Sequence, residues 1–337
     1  MNGSESEETG IFAPGYGSWY GPSFLAVTIL GIISNSVVVA AFIFKILPLT
    51  PFCILLLNLS VSDIFINIFM LPSFFVRTSD YSDVDQPHLT SFMCGVVSYH
   101  LIARSGFIVN VVTVAYVSFI RSTTFDVKDR GRILQPKTVR WFILCSWMIA
   151  LLLHFPWYFM YELNPTTGHC NPKYYEVYSI YHASQVSITY VILEIILFVN
   201  MVRSVRNMWK KSISPHSIIL QKRHRVTSLL LALGLVYIVL CLPVSVVMIM
   251  EASGYFQSAD SFNDVYFPSV LVVYLNTVVD PFMYIFYWKG FRNGFMTSRR
   301  KMRETATRLP SSDKADPIDT KVSAVNVTNA SKSTMNT

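Results

Sequence analysis

Charged side chains stand inside several long apolar stretches of this sequence, where water is scarce. Asp63, Arg104 and Asp280 each lie within such a stretch, and Asn276 precedes Asp280 by one helical turn. An ion inside a membrane is costly, and it usually faces a charged partner or a watery cavity. A guanidinium can bind two carboxylates, and it does not deprotonate. Arg104 therefore needs an acidic partner, a neighbouring helix with polar groups, or a route by which it snorkels to the membrane surface.

The other reactive residue types do not form the pattern of an enzyme or a metal site. The five cysteines include no CxxC pair, which argues against a zinc or redox centre. His154, His182 and Glu194 lie in different apolar stretches, without the spacing of a nucleophile and its base. We therefore predict no enzymatic activity, no metal and no cofactor.

Composition indicates the elements that must position these residues. Hydrophobic residues make up 52% of the 337, and charged residues only 14%, whereas soluble proteins carry about 25% charged residues. A membrane-crossing helix needs roughly 20 mainly apolar residues, and seven apolar runs reach or approach this length. They lie at 23–45, 53–76, 92–120, 138–161, 177–202, 226–251 and 266–287. The predicted fold is an all-α membrane protein, a bundle of seven transmembrane helices.

The distribution of basic residues predicts the orientation of this bundle. One alternating set of connecting segments, with the stretch after the last run, holds 20 of the 27 lysines and arginines. Lysine and arginine favour the cytoplasmic side, so we expect an extracellular N-terminus and a cytoplasmic C-terminus at the plasma membrane. The net charge of +7 then indicates contact with anionic lipid of the bilayer and with a cytoplasmic partner, and not with nucleic acid.

This topology divides the chain into four segments. Residues 1–22 form an extracellular N-terminus, in which Asn2 begins a glycosylation sequon, and 23–287 form the bundle. Residues 288–303 are predicted to form an amphipathic cytoplasmic helix, and 304–337 a disordered cytoplasmic tail. Cys94 and Cys170 are the two cysteines on the extracellular side, where disulfides persist, so we expect them to be bonded.

Short motifs along the seven runs resemble those of the rhodopsin-like (class A) G-protein-coupled receptors, over roughly residues 22 to 300. The motifs are Gly31-Ile32-Ile33-Ser34-Asn35, Asn58-Leu59-Ser60-Val61-Ser62-Asp63, Trp147, Pro243, Asp280-Pro281-Phe282-Met283-Tyr284 and Phe291-Arg292. Each is weak alone, but their order and spacing are specific, although Asp280 stands where asparagine is usual. The resemblance implies a receptor for an extracellular ligand that acts on a heterotrimeric G protein or another cytoplasmic transducer.

Two other functions stay open at this stage. One is a receptor-like partner that binds a ligand or another receptor but signals weakly. The other is a small-solute transporter, although the sequence lacks the internal repeat that many transporters show.

The resemblance also implies a role for the intramembrane charges. In the family, the positions of Asp63, Asn276 and Asp280 converge on a buried sodium-binding pocket. Counting from the third-helix cysteine, Arg104 falls at a pocket position that is commonly asparagine, and Ile108 falls where a small hydroxyl residue is frequent. We therefore expect a buried ion cluster in which Arg104 neutralises Asp63 and Asp280.

A ligand pocket is implied between the extracellular halves of the third, fifth, sixth and seventh helices. Leu101 stands where amine receptors carry an aspartate, and Tyr274 stands where opsins carry the retinal lysine, so neither a monoamine nor retinal is expected. The acidic extracellular segments would favour a cationic ligand such as a basic peptide. The candidate lining residues are Leu101, Ser105, His182, Gln185, Tyr266 and Tyr274.

The cytoplasmic ends of the helices depart from the family pattern. Counting from Cys94 and Trp147 puts Ser118-Phe119-Ile120 where the family carries an acid, an arginine and an aromatic residue. Arg121 is two residues beyond Phe119, about 200° around a helix, so we expect it to point elsewhere. Such a triplet predicts weak or non-standard coupling, because Phe119 cannot form a charge-assisted hydrogen bond. The remaining positions assigned to activation and coupling are Asn200, Tyr237, Cys241, Pro243, Pro281 and Tyr284.

Overall fold

The computed structural model describes most of the bundle. The described residues are 19–75, 87–98, 100–123, 135–164, 170–173, 175–211, 218–256, 259–287, 291–297 and 300. The glycosylation sequon at Asn2 and the tail predicted over 304–337 lie outside the described residues. Of the segment 288–303, only 291–297 and 300 are described, and 291–297 are helical.

The described residues are mainly helical, as the apolar runs predict. The helices are α1 (Tyr20–Ile43), α2 (Pro51–Phe75), α3 (Pro87–Met93), α4 (Leu101–Thr123), α5 (Pro136–His154), α6 (Trp157–Met160), α7 (Tyr175–Val186), α8 (Leu193–Lys211), α9 (Ile218–Ala252), α10 (Ala259–Tyr274), α11 (Asn276–Tyr287) and α12 (291–297). Two π-helical segments, Cys94–Ser98 and Ser187–Ile192, follow α3 and α7. Two short strands, β1 (Tyr161–Leu163) and β2 (Cys170–Pro172), complete the described elements.

Seven helical spans among the described residues are long and apolar enough to cross a membrane. We call them the first to seventh membrane helices, and they are Tyr20–Ile43, Pro51–Pro72, Thr90–Ile120, Pro136–Met160, Ile180–Asn207, Leu231–Ala252 and Ser261–Tyr287. The predicted all-α bundle of seven helices is confirmed, and the protein is a multi-pass membrane protein.

The distribution of side chains over the bundle suits a lipid solvent. Large apolar side chains such as Ile33, Leu152 and Phe198 are exposed, whereas Asn35 and Asp63 are fully buried. Lipid does not expel apolar groups, so a membrane bundle can present them outward and keep its polar groups in contact with one another inside. The polar interior is therefore where function has to be sought.

A disulfide closes one end of the bundle. The strands β1 and β2 pair antiparallel, with Leu163 opposite Cys170 and Tyr161 opposite Pro172. Cys170 is bonded to Cys94 at the start of the third membrane helix, so the predicted disulfide is confirmed. We refer to this end of the bundle as the disulfide end.

The third membrane helix is interrupted just after its cysteine. The π-helical segment Cys94–Ser98 is followed by a break at His100, whose φ of 52° lies in the left-handed region that L-residues rarely adopt. The regular helix α4 begins only at Leu101 and then runs without interruption to Thr123. Residues before Leu101 therefore do not advance by the regular 100° and 1.5 Å each, and positions counted from Cys94 are displaced along α4.

The other end of the bundle includes the first turns of α12. Phe291 is buried in the main hydrophobic cluster. A Cβ added at Gly294 would lie 2.9 Å from the backbone oxygen of Ile46, so glycine permits close contact between α12 and the chain after α1.

Candidate functional site

A buried polar network occupies the middle of the bundle. Asp63 is fully buried, and its Oδ1 accepts a hydrogen bond of 2.6 Å from Nδ2 of Asn110. The amide oxygen of Asn110 in turn accepts from the hydroxyl of Ser62, and Nδ2 of Asn67 donates to the backbone oxygen of Asp63 at 2.8 Å. Asp63 is thus held by neighbours from its own helix and from α4.

The seventh membrane helix supplies the other side of this network. Asp280 is buried and interacts electrostatically with Asp63. Asn276 and Asn110 line one small cavity, and Nδ2 of Asn276 donates to the sulfur of Cys241 at 3.7 Å. The structure therefore brings three predicted residues, Asp63, Asn276 and Asp280, into one region, and it adds Asn110, which the sequence did not indicate.

Arg104 does not join the two aspartates, and the predicted ion triad requires correction. Its Nη2 donates to the hydroxyl of Tyr266 at 3.2 Å, and its side chain lines a separate cavity nearer the disulfide end. The physical reason is the interruption at the start of the third membrane helix. The chain there spends two residues without adding a regular helical step, so later side chains lie two positions further along than a count from Cys94 predicts. The side chain that meets Asp63 is therefore Asn110, two positions after the expected Ile108.

The cavity that Arg104 lines is the candidate ligand site. It lies among the third, fourth, fifth, sixth and seventh membrane helices and encloses about 70 Å³. Small-ligand sites occupy roughly 300–1,000 Å³, so this cavity admits only the tip of a ligand. Its lining residues with polar side chains are His100, Arg104, His154, His182, Gln185, Thr189, Tyr266 and Tyr274.

Four of the six predicted ligand-binding residues line this cavity, and two do not. His182, Gln185, Tyr266 and Tyr274 are on its wall. Leu101 is 1% exposed and packs in the cluster beneath the disulfide. The hydroxyl of Ser105 is buried within 3.1 Å of Nδ1 of His154, so it orients a wall residue and does not face the cavity itself. The same displacement along α4 accounts for both corrections.

Four wall residues with polar side chains were not predicted to bind the ligand. They are His100 and Arg104 on the third membrane helix, His154 on the fourth and Thr189 on the fifth. His154 is fixed by contact of its Nδ1 with the backbone oxygen of Ala150 at 2.9 Å. The sequence signal that could have identified His154 is its place in the fourth apolar run, toward the end that leads to Cys170.

A pair of titratable side chains connects the fifth and sixth membrane helices near the mouth of the cavity. Nε2 of His182 lies 3.7 Å from Oε2 of Glu251, and the Glu251 side chain keeps 31% exposure. Among the described residues, no group of three or more His, Cys, Asp or Glu side chains is arranged to hold a metal ion. The wall chemistry is instead that of hydrogen bonding and charge recognition.

The predicted coupling triplet lies near the end of α4. Phe119 is 39% exposed, whereas Ser118 and Ile120 are buried, and the backbone oxygen of Ser118 accepts from the hydroxyl of Ser204 at 3.5 Å. Because α4 is regular from Leu101 to Thr123, the two-residue displacement seen at Asn110 persists to its end. The role assigned to Ser118-Phe119-Ile120 stays a prediction, and a displacement of two residues would give that role to Ile120-Arg121-Ser122.

The other residues assigned to activation lie on the inner faces of the fifth, sixth and seventh membrane helices. Tyr237, Cys241 and Tyr284 are buried in the main hydrophobic cluster. Asn200 is buried, and its backbone oxygen accepts from the hydroxyl of Ser204 at 2.9 Å. Pro243 and Pro281 lie inside α9 and α11.

Comparison with known proteins finds the same architecture. A profile of the 7 transmembrane receptor (rhodopsin family) matches residues 34–284. Galanin receptor 2a of Danio rerio is 25% identical over 252 residues, which cover 71% of this chain and 66% of that receptor. Galanin receptor 2b of Danio rerio is 26% identical over 284 residues, which cover 81% of this chain and 72% of that receptor. The match to the first relative thus spans slightly less than two thirds of its length.

Proposed function

The chain belongs to the rhodopsin family of seven-transmembrane receptors, and on that premise we propose that it is a plasma-membrane receptor for a peptide. The disulfide end faces outward, and the opposite end acts on a heterotrimeric G protein. The excess of lysine and arginine in the segments at the opposite end supports this orientation.

The cavity beneath the disulfide end is the observation that carries the proposal. It meets five membrane helices, and one of them, the third, reaches from the cavity through the Asp63 network to the other end of the bundle. A ligand that binds one arrangement of these helices more tightly shifts the population toward it. The similarity to two galanin receptors, which are peptide receptors, supports a peptide ligand.

Coupling to the G protein assigns a role to Arg121. A register displaced by two residues would put this arginine in the middle of the triplet at the end of α4, where the family carries its arginine. An arginine there can form the charge-assisted hydrogen bonds that Phe119 cannot. With Arg121 in that role, the triplet would no longer predict weak coupling.

Nucleotide exchange on purified G proteins tests the proposal. The receptor in lipid nanodiscs is presented with pooled peptide libraries and with one G protein from each major class. We expect at least one pool to accelerate exchange at least about tenfold, a change of about 1.4 kcal/mol in barrier height. Arg121→Ala should abolish the acceleration, whereas Arg140→Ala, which removes an exposed cation of the fourth membrane helix, should retain it. Exchange that no pool accelerates with any G protein would refute the proposed function.

A further inference from the structure

The wall of the ligand cavity contains one permanent charge among its described residues, and that charge is positive. Arg104 is the residue concerned, and the other ionisable wall residues are histidines and tyrosines. Placing a guanidinium at membrane depth is costly unless it faces a polar cavity or an anion. The charge of the wall therefore matches a ligand that brings a negative group into the cavity.

The local geometry fits a planar anion. The guanidinium of Arg104 carries five N–H donors in a fork that matches carboxylate geometry. Its bond to Tyr266 uses the phenolic oxygen as acceptor, so the phenolic proton points away from Arg104 and can be donated to a second acceptor. An anion placed against both residues would receive charge-assisted bonds from Arg104 and a neutral bond from Tyr266.

The acid at the mouth limits what the rest of the ligand can be. Glu251 interacts electrostatically with Arg104 and stands beside His182. Its side chain is partly exposed, but Oε2 is buried without a hydrogen-bond partner among the described residues, so it would repel a second negative group and would accept N–H donors from an amide or an ammonium. The cavity thus suits a ligand with one carboxylate at its tip and a neutral or basic body.

We propose that Arg104 and Tyr266 bind a carboxylate of the ligand. This inference rests on the proposed function, because it names the chemical class that the same cavity recognises. The cavity of about 70 Å³ admits the tip of a ligand and not a folded peptide, so the C-terminal carboxylate of a peptide is the source that fits best. A side-chain carboxylate and a small organic acid offer the same chemistry and are distinguished by the test.

Thermal stability of the purified receptor in nanodiscs measures binding without any G protein. The first probe set is the N-acetyl amino acids with a free α-carboxylate, each at about 10 mM, and the second set is the same compounds as amides. Further arms use N-acetyl-aspartate amide, which has only a side-chain carboxylate, propionate as a small acid, and inorganic phosphate. Ligand binding raises the melting temperature by mass action.

We expect at least one free acid to raise the melting temperature of wild type by about 3 °C while its amide does not. The shift should disappear in Arg104→Gln, fall by about half in Tyr266→Phe, and remain in Arg140→Gln, which removes an exposed cation far from the cavity. If Arg104→Gln does not yield folded receptor, the comparison of acids with amides on wild type and Tyr266→Phe decides the question.

Four results would overturn the proposal: no shift with any acid, equal shifts with the amides, equal shifts with phosphate, or an undiminished shift in Arg104→Gln. A larger effect of the α-carboxylate set than of the other acids would identify a peptide terminus as the source. The two proposals, carboxylate recognition and coupling to a G protein, can fail independently of each other. Acid-specific stabilisation without nucleotide exchange would support carboxylate recognition and contradict coupling, whereas exchange driven equally by amidated peptides would do the reverse.

Discussion

The hydrogen bond between Asn110 and Asp63 tests the displaced register of the third membrane helix directly. Oδ1 of Asp63 accepts from Asn110 at 2.6 Å, and Oδ2 has no hydrogen-bond partner among the described residues. Asn110→Ala therefore removes the side chain that donates a hydrogen bond to the fully buried carboxyl group of Asp63. Hydrogen bonds to charged groups contribute about 1.5–3 kcal/mol, so we expect a loss of about 2 kcal/mol in the free energy of unfolding.

A double-mutant cycle separates this bond from the effect of the deleted side-chain volume. In an Asp63→Asn background the carboxylate is absent, and Asn110→Ala should cost only about 1 kcal/mol, which leaves a coupling energy of about 1 kcal/mol. The free energies are measured by SDS titration of the receptor in mixed micelles. The Ser62 hydroxyl, which contacts Asn110, also lies within hydrogen-bonding distance of the backbone oxygens of Asn58 and Leu59. Its proton therefore has an acceptor after Asn110→Ala, both with Asp63 and with Asp63→Asn.

Arg104 supplies the matched comparison. It precedes Asn110 by about 9 Å of helix rise and is bonded to Tyr266, so Arg104→Gln should couple to Asp63→Asn by less than about 0.5 kcal/mol. If the coupling energies were reversed, with Arg104 coupled to Asp63 and Asn110 independent of it, the displaced register would be wrong and the ion triad correct.

Three further predictions concern other parts of the bundle. Cys170→Ser opens a loop with a sequence separation of 76 residues and should cost about 4 kcal/mol in stability by chain entropy; non-reducing peptide mapping that recovered free thiols from native wild type would contradict the bond. Gly31→Ala places a Cβ 2.7 Å from Oγ1 of Thr277, and this overpacking should cost about 1–3 kcal/mol, seen as reduced surface expression; unchanged expression and melting temperature would count against so close an approach. Phe119→Arg should leave nucleotide exchange unimproved, while Arg121→Lys should retain part of the exchange that Arg121→Ala loses; improvement by Phe119→Arg would restore the original register.

The seven membrane helices and the disulfide were predictable because each depends on a property that is local in sequence. A run of about 20 apolar residues has few soluble alternatives, and its interruptions by Glu194 and Asn200 did not prevent the fifth membrane helix from forming. The bond between Cys94 and Cys170 followed from the side of the membrane that the basic segments predict for each cysteine. Neither inference required the rotation of any helix to be known.

The contacts inside the bundle depend on helix rotation, and a local irregularity altered it. The segment from Cys94 to Ser98 contains no proline, and Gly95 is its one helix-weakening residue. In the structure, a Cβ on Gly95 would come within 2.9 Å of Leu101, so this glycine permits the compact turn before α4. Composition alone does not distinguish such a glycine from one in a regular helix, and the contacts expected of Leu101, Arg104 and Ser105 were consequently wrong.

Arg104, Asn110 and Arg121 now lie in order on one uninterrupted helix, and this order bears on how the receptor could work. They span roughly 25 Å at 1.5 Å per residue, from the ligand cavity through the Asp63 network to the end where a G protein would bind. If a ligand carboxylate binds Arg104 as proposed, a rotation or shift that it imposes there would be carried along this helix toward Asn110 and Arg121. Asn110 would resist such a movement, because it is bonded to a buried aspartate of the second membrane helix. Weakening that bond should therefore raise basal nucleotide exchange, and Asn110→Ala should activate the receptor without ligand even as it lowers stability. Basal exchange that stays at the wild-type rate in Asn110→Ala, in preparations matched for folded receptor, would show that this contact does not hold the inactive state.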